Sequence, residues 1–170
     1  THFIKNLMAA ASGSGALLLV TNDMRQSYRK FGDVLSFDVF QDFVKKKDGE
    51  NCYLSYVFSV NDTNNRPLVV AYGVINKLTP EVLYKLLFTF LKMHRSDSPK
   101  TLMYNYSPQV MGKALDELKR QHRIRINATI HPVYLFRKMK KLMVNLSNEK
   151  TEVLSNLIHR AMYTRDPDDY

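Results

Sequence analysis

Three stretches in the first half of the chain constrain its fold most: VLSFDVF (34–40), YLSYVFSV (53–60) and LVVAYGVI (68–75). Each is dense in β-branched and aromatic residues, which suit a pleated, half-buried surface. The intervening QDFVKKKDGEN and NDTNNRP are charged or rich in turn formers, so they read as connections. Together they predict three successive strands in an antiparallel meander. Ahead of them, GALLLV (15–20) is a short buried-strand candidate and DMRQSYRKF one or two helical turns.

After residue 78 the hydrophobic period changes. Thr79, Pro80 and Glu81 suit a helix start, as cap, first position and first-turn acid. Leu83, Leu86, Leu87, Phe90 and Leu91 then recur at helical spacing to about His94. TLMYNY (101–106) predicts a strand, Ser107 a cap and Pro108 the start of a second helix to about Gln121. RIRINATI (123–130) alternates basic and apolar residues like a half-exposed strand. Pro132 opens a third helix, PVYLFRKMKKLMVNL, and TEVLSNLIHRAMY makes a fourth. A meander followed by βα crossovers predicts a mixed five-stranded sheet, the three-strand meander plus two parallel strands, with helices on both faces.

At 170 residues the chain fits one globular domain. We expect an N-terminal extension over 1–16, the main domain over 17–147 and a C-terminal helix over 148–170. The start lacks the Met and basic region of a signal peptide, so the chain reads as a segment of a longer protein. No apolar run approaches the roughly 20 residues of a membrane helix, and no membrane partner is expected. Cys52 is the single cysteine, which excludes an internal disulfide or a Cys-rich zinc site and fits a reducing compartment. Twenty-five Lys and Arg against 16 Asp and Glu, a formal +9, favour anionic partners, nucleic acid first.

The runs MRQSYRKFGDVLSFDVFQ, PLVVAYGVIN, PEVLYKLLFTFLKM, SPKTLMYNYSPQVMGKALDEL and RINATIHPVYLFRKMKK, in this order, resemble the catalytic domain of Mutator-like (MULE) transposases over about residues 17–142. The resemblance implies a ribonuclease H-like fold in which the first and fourth strands lie side by side. It further implies two Asp residues on those strands and a later Glu, holding two metal ions for phosphodiester chemistry. The first position falls on Asp38 and the second on Asn105. A Cys-x-x-His pair falls on Ala128 and His131, so its Cys is missing. The resemblance also implies a DNA-binding zinc module before such a domain and a SWIM zinc finger after it.

Asp38 interrupts an apolar strand, and a buried carboxylate must be paired or protonated. It reads either as a surviving metal ligand or as a relic held by a neighbouring Tyr, Asn or Lys. The relic reading is preferred, because one carboxylate holds a divalent ion weakly. Asn105 offers an amide oxygen without the charge. Asp97 comes too early to substitute, while Asp42 would share a face with Asp38 if the strand stayed extended. His131 before Pro132 reads as a helix-entry or surface histidine. Tyr104 and Tyr106 could stack on bases, but alternate strand residues are expected to pack or line a rim.

Between 113 and 141 nine cations face two acids, Asp116 and Glu117. Lys119, Arg120, Arg123, Arg125, Arg137, Lys138, Lys140 and Lys141 are the candidate nucleic-acid contacts, with Lys45, Lys46 and Lys47 as a possible addition. Cations at a helix end also complement its dipole, which is the alternative. The expectation is a catalytically inactive, transposase-derived domain without a cofactor, binding DNA or other nuclear proteins in a nuclear, transcription-regulatory setting, with self-association open. The alternatives are an active transposase or nuclease using Mg²⁺ or Mn²⁺, and a scaffold with no nucleic-acid role.

Overall fold

A computed structural model describes residues 7–10, 16–44, 53–94, 98–132, 134–135, 138–139 and 148–163. The chain divides into two compact units, Thr1–Thr129 and Ile130–Tyr170. In the first, the element order is β1 (Leu7–Ala10), β2 (Ala16–Leu19), α1 (Asn22–Phe31), β3 (Val34–Val44), β4 (Tyr53–Asn61), β5 (Pro67–Ile75), α2 (Pro80–His94), β6 (Thr101–Tyr104), α3 (Pro108–His122) and β7 (Asn127–Ile130). They form one sheet in the order β1-β2-β5-β4-β3-β6-β7. The meander β3-β4-β5 is antiparallel, and β3 pairs with β6 in parallel.

The expected count of five strands is therefore too low: among the described residues the sheet has seven. β1 and β2 form an antiparallel hairpin that adds to the free edge of β5, continuing its backbone ladder. RIRINATI also differs, because strand pairing begins only at Asn127. Arg123 ends α3 in the left-handed region at φ 57°, which turns the chain before it can extend.

In the meander, alternation sorts side chains as its period dictates. Leu35, Phe37, Val39, Tyr56, Phe58 and Val60 point to one buried face. There Phe58 stacks on Phe90 of α2 at 4.4 Å between centroids, and Tyr28 of α1 meets Phe90 edge-on at 5.0 Å. Such pairs contribute about 0.5–1.5 kcal/mol each beyond area burial. α3 packs beside α2 through Met111, Ala114 and Leu118. The opposite face carries Val34, Phe40, Val69 and Tyr72, all exposed. Within this unit α1 and α2 cover one face.

Tyr56 lies opposite Gly73 in the β4–β5 register, and Gly73 is paired with Leu18 of β2. The tyrosine crosses over this glycine, and its hydroxyl donates to the Leu17 carbonyl at 2.5 Å. Burial pushes the phenol pKa up, so it remains a donor. A Cβ at position 73 would collide with both the Leu17 carbonyl and the Tyr56 hydroxyl. Three strands are tied together at a point only glycine fits.

In the second unit Pro132, Tyr134, Leu135, Lys138 and Met139 are helical. The His131 carbonyl accepts from the Tyr134 and Leu135 amides at 2.9 and 3.1 Å. Then α4 (Asn148–Tyr163) presents Val153, Leu154 and Leu157 to solvent. Among the described residues no helix is long and apolar enough to cross a membrane.

His94, at the end of α2, is 0% exposed and packs against Tyr28 and Phe90. Neither ring nitrogen makes a hydrogen bond of good geometry, although the Val70 backbone lies close enough to act on the ring. Burial, then the nearby Arg25 and Arg29 charges, push its pKa down to about 4, opposed in part by the Val70 backbone. A lowered histidine pKa means the unfolded chain binds the proton more readily, so stability is lost as pH falls. Stability should drop between pH 6.5 and about 4, by at most about 3 kcal/mol from this group. Urea titrations across that range should show His94→Leu with a flatter pH dependence than the parent. Gly73→Ala should cost about 1–3 kcal/mol by overpacking, more than the roughly 1 kcal/mol for Tyr56→Phe in the same assay.

Candidate functional site

The corner singled out in the sequence forms where β3 and β6 run side by side. Their register pairs Val34 with Thr101 and continues to Phe37 with Tyr104. The chain then leaves the sheet through Asn105 and Tyr106 into α3. Ser107 occupies the N-cap, but makes no side-chain cap bond; its hydroxyl donates to Gln109 Oε1 at 2.9 Å instead. Pro108, at the first position, lacks the amide hydrogen that would need a partner. Asp38 is half-buried, on the sheet face opposite the aromatic core and across from Val57.

Asn105 does not point into an open site. Its Oδ1 accepts from the Val39 amide at 2.7 Å, and its Nδ2 donates to the Val39 carbonyl at 3.4 Å. Its own amide donates to the Phe37 carbonyl at 3.4 Å. The side-chain amide imitates a peptide group and extends the parallel ladder past Tyr104. A carboxylate could accept from the Val39 amide but could not donate to the carbonyl. Position 105 is therefore suited to an amide.

These residues do not fit the two-metal centre that the resemblance implies. Divalent ions of that kind need several charged oxygen ligands. Asp38 supplies one carboxylate, while the Asn105 oxygen is uncharged and already accepts from the Val39 amide. Among the described residues no three His, Cys, Asp or Glu side chains converge to hold a metal. Asp42 lies on β3, where four steps from Phe40 to Val44 oppose two on β4. The Asp42 side chain and Asp97 lie outside the described residues. His131 is half-buried beside the helix entry, and Ala128 is exposed on β7. Tyr104 is buried, and burial raises its pKa; Tyr106 is half-buried.

The basic candidates divide. Lys119, Arg123 and Arg125 are exposed. Arg120 is held by Glu117, with Nε donating to Oε2 at 3.0 Å and Nη2 to Oε1 at 2.5 Å. That pairing lowers the Glu117 pKa and raises that of Arg120. In the second unit Lys138 is exposed, with its ammonium 5.4 Å from the Tyr134 ring centre. Arg137, Lys140, Lys141 and Lys45–Lys47 lie outside the described residues.

Sequence reasoning missed a second group, between α2 and α3. Tyr84, Phe88 and His122 are half-buried, with ring planes within 15° of parallel. Phe88 and His122 stack at 3.9 Å. The Tyr84 hydroxyl donates to Gln121 Oε1 at 2.6 Å, leaving its oxygen to accept from His122 Nε2–H at 2.9 Å. The spacing of Tyr84 and Phe88, one helical turn apart, was the available signal. Beside them runs a groove of about 560 Å³ whose walls include Glu81, Lys85, Lys113, Asp116 and Glu117.

The order β5-β4-β3-β6-β7, with β3 and β6 parallel, is that of the ribonuclease H-like class. Among solved structures, the chain is similar to one in the simian T-cell lymphotropic virus intasome in complex with PP2A regulatory subunit B56 gamma. The TM-score is 0.40 and the identity 14%, covering 75% of this chain and 48% of that one. The chain thus spans about half the length of that neighbour. It is also similar to the HTLV-2 integrase catalytic core domain in complex with magnesium, dimeric form, with TM-score 0.33, 16% identity and coverage of 79% and 84%. The trimeric form gives 0.34, 16%, 77% and 82%. No family model and no curated protein matches. The class stands on the strand order itself.

Breaking the Asn105 rung should loosen the end of β3 locally. Asn105→Ala should cost about 1–3 kcal/mol and speed hydrogen exchange at the Val39 amide. Asn105→Asp should keep that amide protected while still losing stability, because the Val39 carbonyl then faces an acceptor.

Proposed function

We propose that this is a ribonuclease H-like domain of transposase or integrase descent that performs no metal-dependent chemistry and serves as a nucleic-acid-binding module in a nuclear protein. The observation that carries the reading is Asn105. It stands on the strand beside Asp38, where the resemblance to Mutator-like transposases requires a second carboxylate, and its amide is engaged with the Val39 backbone. The formal charge of +9 and the exposed Lys119, Arg123 and Arg125 support a phosphate-bearing partner. A SWIM-type zinc-finger context and a transcription-regulatory role belong to the same proposal.

A second reading, a protein-interaction scaffold, is favoured by the exposed Phe40, Val69 and Tyr72 on the uncovered sheet face. The two separate by salt. Phosphate contacts make affinity fall steeply as salt rises, whereas a scaffold binds no DNA even at low salt.

The complete protein, incubated with linear or supercoiled DNA and either Mg²⁺ or Mn²⁺, should release no cleaved product. Asn105→Asp should not restore cleavage. DNA cleavage by the parent protein that disappears in Asp38→Ala would sink the inactive reading.

A further inference from the structure

The ring group between α2 and α3 and the basic turn after α3 meet at consecutive residues, His122 and Arg123. Their chemistries are complementary. Single-stranded nucleic acid is held by aromatic faces on which bases stack, next to cations that follow the backbone. Tyr84, Phe88 and His122 are half-buried residues whose rings lie nearly parallel, Phe88 and His122 stacked on one another. The His122 ring is fixed by its stacking on Phe88 and its bond to the Tyr84 hydroxyl. A fixed ring loses little freedom when a base stacks on it.

The turn itself is shaped for the second task. Arg123 adopts φ 57° and ψ 19°, with its amide donating to the Lys119 carbonyl at 3.1 Å. Glycine is the default at this position of a helix end, so an arginine here carries a backbone cost. From there exposed and half-buried residues alternate: Arg123, Arg125 and Asn127 are exposed, Ile124 and Ile126 half-buried. The Asn127 amide donates to the Lys100 carbonyl at 3.2 Å and ties the segment down. Lys119, one turn earlier on α3, adds a third exposed cation. Tyr84 also lines the groove, whose walls carry Glu81, Asp116 and Glu117 against Lys85 and Lys113.

We infer that Tyr84, Phe88 and His122, together with Lys119, Arg123 and Arg125, form a binding site for single-stranded nucleic acid. Bases stack on the rings while the arginines follow the phosphates. The inference rests on the nucleic-acid reading above and narrows it to single strands and to this surface. A duplex keeps its bases stacked inside and leaves such rings without a partner.

The complete protein is titrated, by fluorescence anisotropy, into a labelled oligothymidylate and into a labelled duplex of the same length, across a range of salt. The single strand should bind at least tenfold more tightly. Arg123→Gly replaces a strained residue by the one the turn prefers, so it should melt no lower than the parent. It should flatten the logarithmic salt slope on the single strand by about 0.7. His122→Ala should weaken binding roughly 5- to 150-fold with an unchanged slope, because a stacking contact releases no counterion. Its fold is checked by circular dichroism. Salt-dependent binding that neither variant alters, or a preference for duplex, would overturn this site and leave the nucleic-acid reading standing. Absence of binding to both probes at low salt would overturn both.

Discussion

Parallel strands cannot be joined by a tight turn, so the pairing of β3 with β6 requires a crossover, and α2 lies between them in the chain. That pairing orders the rest of the sheet. It leaves the other edge of β3 for the meander and brings the residues after Tyr104 against those after Phe37. Asn105 adds a rung made by a side chain rather than by backbone. The same side chain thus carries the parallel ladder past the last paired residue of β6.

A second tie fixes the opposite flank. The Tyr56 hydroxyl reaches across Gly73 to Leu17, attaching the β2 edge to the meander. Between the two ties, the rings of Phe37, Phe58, Phe90 and Tyr28 join the sheet to α1 and α2. His94 completes that cluster as a neutral, buried imidazole. We have no functional account of its two ring nitrogens; their physical effect is acid sensitivity.

Much of the fold was legible because local patterns encode it. The meander, α2, β6 and α3 follow from alternation, helical spacing and the Pro residues at helix starts. GALLLV was legible as the strand β2, but its place in the sheet was not, since β2 joins by pairing with β5 and the four-residue β1 by pairing with β2. β7 was overextended because the Arg/Ile alternation of 123–126 persists in a segment that makes no ladder. The candidate corner was legible in position, through Asp38 and Asn105. The ring group was not, because Tyr84 and Phe88 lie on one helix and His122 at the end of another.

The sequence alone determined the meander, α2, β6 and α3, the amide at position 105, the single cysteine and the surplus of cations, all of which are local or compositional. The tertiary structure decided what those residues do. Asn105 bonds to Val39, 66 residues away, and its engagement with the backbone depends on the β3–β6 register. Arg120 pairs with Glu117 at the surface, whereas among the described residues no ion pair engages the exposed Arg123 and Arg125. Side-chain pattern reveals which face a residue takes on its own element, but the partner of that face is set by how distant elements pack.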